Sequence, residues 1–250
     1  MECAALTLWF LIAVFAALGV HRLWCSMVKP KVVNCILLPG TLVAQLGHIL
    51  GLLVTGGTVN DTTLVKDDES GEPQTAAEPE SRLPVLGAVI IALLPLVGCA
   101  AAIYWVSRYF GSPVLAAMDE RTVHRLVLPT TLAAFFDTLR GAISLVQQLM
   151  DAVWAGNYRD WRTWLFLYLV MCLTVRMAPF TGNLRGSLGA ILLTGLMAFL
   201  IGLMTRSTEA ILGCMWPLVI FSVAVLLLLL MLSLFAKGAV LLGKVFYAGG

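Results

Sequence analysis

The chain has 250 residues, of which 60% are hydrophobic and only 12% are charged, and its net charge is +2. Soluble domains carry about 25% charged residues, so this composition excludes an ordinary cytosolic enzyme, and it also excludes disordered, collagen-like and disulfide-stapled chains. The small, scattered net charge excludes a nucleic-acid-binding surface. A mean hydropathy of +0.94 indicates a polytopic helical membrane protein.

Several apolar runs have the length that a membrane crossing requires, which is about 20 residues per helix. They lie at 4–21, 33–54, 84–106, 163–180, 187–204 and 212–236. We therefore expect an all-α polytopic membrane protein that forms a single domain over residues 1–250. The first run carries Glu2 where a secretory signal has a basic segment, so we expect a retained anchor there.

The stretch 126–153 is also long enough to cross, but it contains Asp137 and Arg140. Residues three apart lie on one helical face, so these two charges can neutralise each other. The stretch is therefore either a further crossing whose charged face points into the bundle or an amphipathic helix on the membrane surface. The sequence predicts six or seven transmembrane helices.

Loop charges favour one orientation. The connection with Arg22, Lys29 and Lys31 is basic, whereas the loop over 55–83 is acidic. Because positive loops stay in the cytoplasm, we expect the N-terminus and the acidic loop on the outside. Seven crossings would also place four later basic residues on the inside, which favours seven over six: Arg176, Arg185, Lys237 and Lys244.

The composition of the acidic loop 55–83 suggests its behaviour. Its centre, DDESGEPQTAAEPES, is rich in proline, serine, glutamate and glycine. Such a segment buries too little apolar surface to offset the entropy of ordering. We expect it to be mobile and solvated.

Polar residues interrupt the second run, LLPGTLVAQLGHILGLLVTGG at 37–57. Pro39 breaks its beginning, and Thr41, Gln45 and His48 then follow at i, i+4 and i+7, so they share a stripe. At 1.5 Å per residue, His48 lies about 18 Å along the helix. A histidine at that depth in a membrane is costly unless paired, which makes it a candidate functional residue.

Small residues form a second stripe on the same helix, and a similar stripe recurs in MAPFTGNLRGSLGAILLTG at 177–195. The first stripe consists of Gly40, Ala44, Gly47 and Gly51. The second consists of Gly182, Gly186 and Gly189. Small residues at this spacing allow two helices to approach closely, so we expect these two helices to pack together.

The stretch 37–57 resembles the metal-binding helix of the site-2-protease family of intramembrane zinc metalloproteases. More narrowly, it resembles bacterial relatives in which Leu-Pro-Gly-Thr precedes His-Glu-x-x-His. The run from Pro84 resembles the small-residue span that follows in such proteins, and MAPFTGNLRG resembles the segment that carries an aspartate ligand. This resemblance implies a site-2-protease-like core and a bacterial inner-membrane location.

The chain departs from that family at the positions that matter for catalysis. Aligning the Leu-Pro-Gly-Thr motif puts Ala44 at the first histidine, Gln45 at the glutamate, His48 at the second histidine and Asn183 at the aspartate. Catalytic zinc needs three protein ligands, and a glutamine cannot take a proton from metal-bound water. We therefore expect no catalytic residue and no metal site. His48 remains as the single candidate ligand.

The replaced positions can instead form a neutral polar cluster of Gln45, His48 and Asn183, held by hydrogen bonds between helices. The leading hypothesis is a non-catalytic membrane protein that acts as a binding or scaffold subunit. It would have no cofactor, and its partners would be the lipid bilayer and other membrane proteins.

Two alternatives stay open. One is an active zinc protease with an atypical ligand set. The other is a transporter or channel subunit in which Asp137, Arg140 and His48 line a path, since prolines break several of its helices. Two further predictions concern the membrane interface. His21 is expected to be interfacial or solvated, and an aromatic belt is expected at Trp154, Tyr158, Trp161 and Trp164.

Overall fold

The computed structural model describes residues 2–63, 74–78, 84–115, 131–156, 158–177 and 208–248. Its helices are α1 Glu2–Met27, α2 Pro30–Ile36, α3 Leu38–Thr55, α4 Pro84–Phe110, α5 Ser112–Leu115, α6 Leu132–Ala155, α7 Trp161–Arg176 and α8 Thr208–Ala248. Its strands are β1 Thr58–Thr63 and β2 Gln74–Glu78. Each predicted apolar run within these residues is helical. The run 187–204 falls outside them.

Three helices in this described part are long and apolar enough to cross a membrane: Thr7–Met27, Leu38–Thr55 and Val219–Leu242. A shorter apolar helix covers Leu94–Phe110. A mostly helical protein with several membrane-compatible helices is thus confirmed. Helix α6 falls outside this group because it carries Asp137, Arg140 and Asp151, and α7, with 16 residues, is only about 24 Å long.

Helices α1 and α8 pack side by side and run in the same direction. Trp9 near the start of α1 contacts Trp216 near the start of α8, with ring centroids 5.8 Å apart. Further along, the indole nitrogen of Trp24 donates to the hydroxyl of Ser233 at 2.7 Å. Residues of α1 and α8 make up much of the larger hydrophobic core, which also includes residues of α6 and α7.

Helices α3 and α4 pack antiparallel with their backbones in close contact. A Cβ atom added at Gly47 would lie 2.7 Å from the Cα of Pro95, and one added at Gly51 would lie 2.8 Å from the Cα of Ile91. Real Cβ atoms are not found this close to a backbone. The small residues of α3 are therefore required by the approach of α4.

At the start of α3, the same stripe of small residues contacts α7 instead of α4. A Cβ at Gly40 would lie 2.6 Å from the carbonyl carbon of Cys172. At these positions the stripe is thus in contact with the backbones of α4 and α7. Gly182, Gly186 and Gly189 lie outside the part of the chain that the structure describes, so their packing against this stripe stays a prediction.

Helix α6 runs from the end of the bundle where α1 begins to the end where α4 finishes. Phe135 in its first turn contacts Trp9, with ring centroids 5.9 Å apart. Its last residue is joined by a short link to α7, whose Trp161 contacts Phe110 at the end of α4 at 6.1 Å. Helix α7 then runs back alongside α4, with Leu173 packed beside the α4 residues Leu96 and Cys99.

The predicted pairing of Asp137 and Arg140 is confirmed, at 3.6 Å between Oδ1 and Nη1. The alternative in which this charged face points into the bundle is wrong. The Arg140 and Asp137 side chains are 82% and 73% exposed, because α6 instead buries its opposite face, formed by Thr138, Ala142 and Leu145.

Two segments of the acidic loop, 58–63 and 74–78, pair as β-strands, which the sequence analysis did not predict. We call this strand pair the hairpin. Helix α3 ends at Gly56, whose φ of 85° is the left-handed conformation that glycine adopts at low cost. Strand β1, rich in threonine, then pairs antiparallel with β2 from Thr58 opposite Glu78 to Thr63 opposite Gln74. Threonine and valine favour extended backbone, and this preference outweighs the polar composition here.

Adding one methyl group to α3 tests its contact with α4. We expect G47A to lower the free energy of unfolding in detergent by about 1–3 kcal/mol, since its Cβ would meet the α4 backbone. G98A lies on the same helix pair, but its Cβ would be 3.8 Å from the nearest atom, so it should leave stability unchanged or slightly higher. Equal losses in the two variants would contradict the described packing.

Candidate functional site

Two of the candidate positions on α3 lie in its buried interface. Ala44 is 1% exposed and Gln45 is 3% exposed. Ala44 belongs to an apolar cluster in which its neighbours include Leu96, Cys99 and Ile103 of α4. The position that would carry the first histidine of a metalloprotease is therefore filled by close helix packing.

His48 is half-buried at the same interface, and its ring lies beside the backbone of Ile91. Pro95 follows Ile91 by four residues inside α4. A proline has no amide proton, so the carbonyl of residue i−4 loses its helical donor. The imidazole of His48 is placed to supply that missing donor to Ile91.

This arrangement explains why a polar side chain is retained in an apolar helix. Gly47 lies against Pro95 and Gly51 lies against Ile91, so α4 approaches α3 on both sides of His48. A buried carbonyl without a donor would cost about 1–3 kcal/mol. This position gives His48 a possible partner in the α4 backbone that is independent of any metal.

The residues present do not fit a catalytic zinc ion. On α3, Ala44 has no ligand atom and Gln45 offers only a neutral amide, which leaves His48 as a single imidazole beside the backbone of Ile91. Within the described residues, no group of three or more histidine, cysteine, aspartate or glutamate side chains is arranged to hold a metal. Asn183, the remaining candidate, lies beyond the described ranges, so its convergence with Gln45 and His48 stays a prediction.

A buried polar cluster that the sequence analysis missed links α1, α2 and α7. The guanidinium of Arg176 donates to the side-chain oxygen of Asn34 at 2.6 Å. Nε2 of His21 lies 3.1 Å from that same oxygen. Asn34 is 2% exposed and Arg176 is 6% exposed, so this cluster is inside the protein.

Polar contacts next to this cluster also tie α7 to the break between α2 and α3. The hydroxyl of Tyr168 donates to the carbonyl of Ile36 at 2.7 Å, and the thiol of Cys172 donates to the same carbonyl at 3.4 Å. The chain breaks at Leu37 because Pro39 sits in the first turn of α3. Side chains of α7 therefore donate hydrogen bonds to the carbonyl of Ile36, which the break leaves without a helical donor.

The cluster corrects two predictions. His21 was expected to be interfacial or solvated, but it is half-buried within α1 and contacts Asn34. Arg176 was expected in a cytoplasmic connection on the same side as the other basic loops. It instead ends α7 inside the bundle, about 22 Å along that helix from Trp161, because the amide of Asn34 offers a buried acceptor.

A signal for this cluster was present in the sequence. Arg176 interrupts an apolar run, and Asn34 lies at the start of another. Polar residues within membrane helices usually pair with one another. The sequence does not indicate that Arg176 and Asn34 pair with each other, since 142 positions separate these two residues.

Comparisons with protein-family models, with curated proteins and with solved structures find no match. The kinship with site-2 proteases therefore remains a hypothesis that rests on the motifs at 37–57 and 177–195. The function is therefore inferred from the contacts within the chain itself.

Removing the acceptor of Arg176 tests the buried cluster. We expect N34A to lower the free energy of unfolding by about 1.5–3 kcal/mol, because a buried guanidinium loses a hydrogen bond. The adjacent variant C35A changes an exposed side chain and should stay within about 0.5 kcal/mol of wild type. Chemical denaturation in detergent measures both, and equal stabilities for the two variants would refute the role of Asn34.

A double-mutant cycle tests the role of His48. We expect H48L to cost about 1–2 kcal/mol of stability in the native background, because the Ile91 carbonyl loses its donor. In the P95A background the restored amide proton bonds that carbonyl, so H48L should cost much less. An identical cost of H48L in both backgrounds would disprove the assignment.

Proposed function

We propose that this chain is a non-catalytic integral membrane protein that works as a binding or scaffold subunit, built on a frame related to intramembrane metalloproteases. The observation that carries the proposal is that α3, the helix that resembles a metal-binding helix, serves as a packing element. Its glycines contact the backbones of α4 and α7, and His48 lies beside the α4 backbone.

The chemistry of the replaced positions supports this proposal. A metalloprotease needs a base that accepts a proton from metal-bound water, and the amide of Gln45 cannot act as one. Ala44 is surrounded by apolar side chains, so the space at the first ligand position suits a methyl group and not an imidazole. Both substitutions favour a stable helix bundle over a metal site.

The outer face of α3 supports a role in binding. Large apolar side chains recur there every three or four residues, and each is about half exposed. They are Leu42, Leu46, Leu50 and Leu53. In a membrane, such a stripe faces lipid or another membrane protein.

The distribution of charge supports an orientation with the N-terminus outside. The end of the bundle where α1 and α4 finish carries most of the exposed arginine and lysine of the described chain, whereas Asp61 and Glu78 belong to the hairpin near the other end. Positive charge is retained on the cytoplasmic side. Six or seven crossings and a bacterial inner-membrane location belong to the same proposal.

The transporter alternative receives less support. It placed Asp137 and Arg140 along an internal path with His48. These two side chains instead form an exposed pair on α6, and His48 lies at the α3–α4 contact. The three residues are not assembled around one route through the described bundle.

Metal analysis combined with an activity assay tests the proposed function. We expect wild-type protein purified in detergent to contain far less than one zinc per chain, and H48A to contain the same amount, because His48 is a packing residue. We also expect no cleavage of membrane-embedded test peptides, with or without added zinc. Inductively coupled plasma mass spectrometry and gel assays provide the readouts.

Two outcomes would reverse the proposal. Stoichiometric zinc that disappears in H48A would establish His48 as a ligand. Peptide cleavage that chelators abolish would establish the protease alternative.

A further inference from the structure

One end of the helix bundle concentrates basic side chains from several helices. Exposed residues of this group lie at the end of α1 and the start of α2, at the end of α4 and at the start of α7, and a half-buried lysine follows on α8. They are Arg22, Lys29, Lys31, Arg108, Arg159, Arg162 and Lys237. The carboxylates near this end, among the described residues, are Asp151 and Asp160. The end is therefore strongly positive.

Helix contacts establish that these residues share one end. Helix α3 starts where α1 finishes, and α4 runs antiparallel to α3, with Gly47 against Pro95 and Gly51 against Ile91. Phe110 at the end of α4 contacts Trp161 at the start of α7. Ser233, one turn before Lys237, bonds Trp24 of α1.

Exposed aromatic rings accompany the basic residues at the end of α4 and at the start of α7. Trp105 and Tyr109 are 55% and 62% exposed, and their rings stack at 5.5 Å. Trp161 and Trp164 on α7 are 63% and 59% exposed. Each of the two helices thus presents its own exposed arginine beside exposed rings: Arg108 with Trp105 and Tyr109 on α4, and Arg162 with Trp161 on α7. We call these two groups together the α4–α7 corner.

We propose that the α4–α7 corner binds the headgroups of anionic phospholipids such as phosphatidylglycerol. The proposal rests on the proposed function in one respect, that the chain lies in a membrane. Guanidinium groups form strong, often bidentate, hydrogen bonds with phosphate oxygens. Indole and phenol rings prefer the headgroup region, where one side is apolar and the other is wet.

The arrangement favours a lipid over a soluble anion or an acidic protein. Arg108 and Arg162 are exposed on the outside of the bundle, and the large rings beside them would be costly to leave in water. A lipid satisfies both kinds of side chain at once, because its phosphate meets one arginine and its glycerol and acyl region meets the rings on the same helix. Basic residues near an anionic membrane surface each contribute roughly fivefold to affinity.

Fluorescence quenching by brominated lipid tests the proposal. Wild-type protein is reconstituted in dibrominated phosphatidylcholine, which quenches tryptophans that it contacts. Part of this lipid is then replaced by unbrominated phosphatidylglycerol or, in parallel, by unbrominated phosphatidylcholine. We expect phosphatidylglycerol to restore more fluorescence than the same fraction of phosphatidylcholine, and the difference to shrink between 0.1 and 1 M salt because the charges are screened.

Variants locate the effect. R162Q should reduce the relative affinity of the α7 group for phosphatidylglycerol roughly fivefold, and R108Q/R162Q should reduce that of both groups by the same factor. R108K/R162K keeps the charge and should retain most of the preference, which also shows that the corner tolerates substitution. R140Q is the control, since Arg140 is also an exposed helix arginine but lies toward the other end of the bundle, and it should behave as wild type.

The outcomes separate two kinds of failure. Wild-type protein that brominated lipid does not quench would contradict membrane insertion and hence the proposed function. Normal quenching without a preference for phosphatidylglycerol would overturn the headgroup site alone. A preference that survives in R108Q/R162Q, or that R140Q also loses, would overturn it as well.

Discussion

Helices α3 and α4 meet backbone to backbone, and most of the described arrangement depends on this contact. Gly47 and Gly51 lack the side chains that would keep the helices apart, and Pro95 of α4 lies against Gly47. Without a hydrophobic driving force in lipid, such close packing and interhelical hydrogen bonds hold membrane helices together. The proline leaves the carbonyl of Ile91 without its helical donor, and His48 lies beside the same backbone segment.

The second constraint is the burial of polar groups at the break between α2 and α3. Asn34, Arg176 and His21 meet around one amide oxygen, and Tyr168 and Cys172 bond the carbonyl of Ile36. Each of these groups would be costly to bury alone. Because they come from α1, α2 and α7, their pairing fixes how these helices are placed relative to one another.

These two constraints determine the properties of the candidate site. A catalytic zinc centre keeps an open position and a base beside it. Here α4 packs closely against α3, and the one histidine of α3 lies at this contact. This closed packing is the basis for the proposal that the chain presents surfaces to lipids and neighbouring proteins, and the basic, aromatic end of the bundle is proposed as one such surface.

The sequence by itself determined the helical segments and their apolar character, because a run of about 20 apolar residues is typical of a membrane-compatible helix. It also identified the stripe of Gly40, Ala44, Gly47 and Gly51 as an interface and Asp137 with Arg140 as a pair, since both patterns follow from helical periodicity. Only the tertiary structure decided which helices fill that interface, that His48 lies beside Ile91, one turn before Pro95, and that Arg176 pairs with Asn34. Those choices depend on contacts between residues far apart in the chain, for which local spacing carries no information.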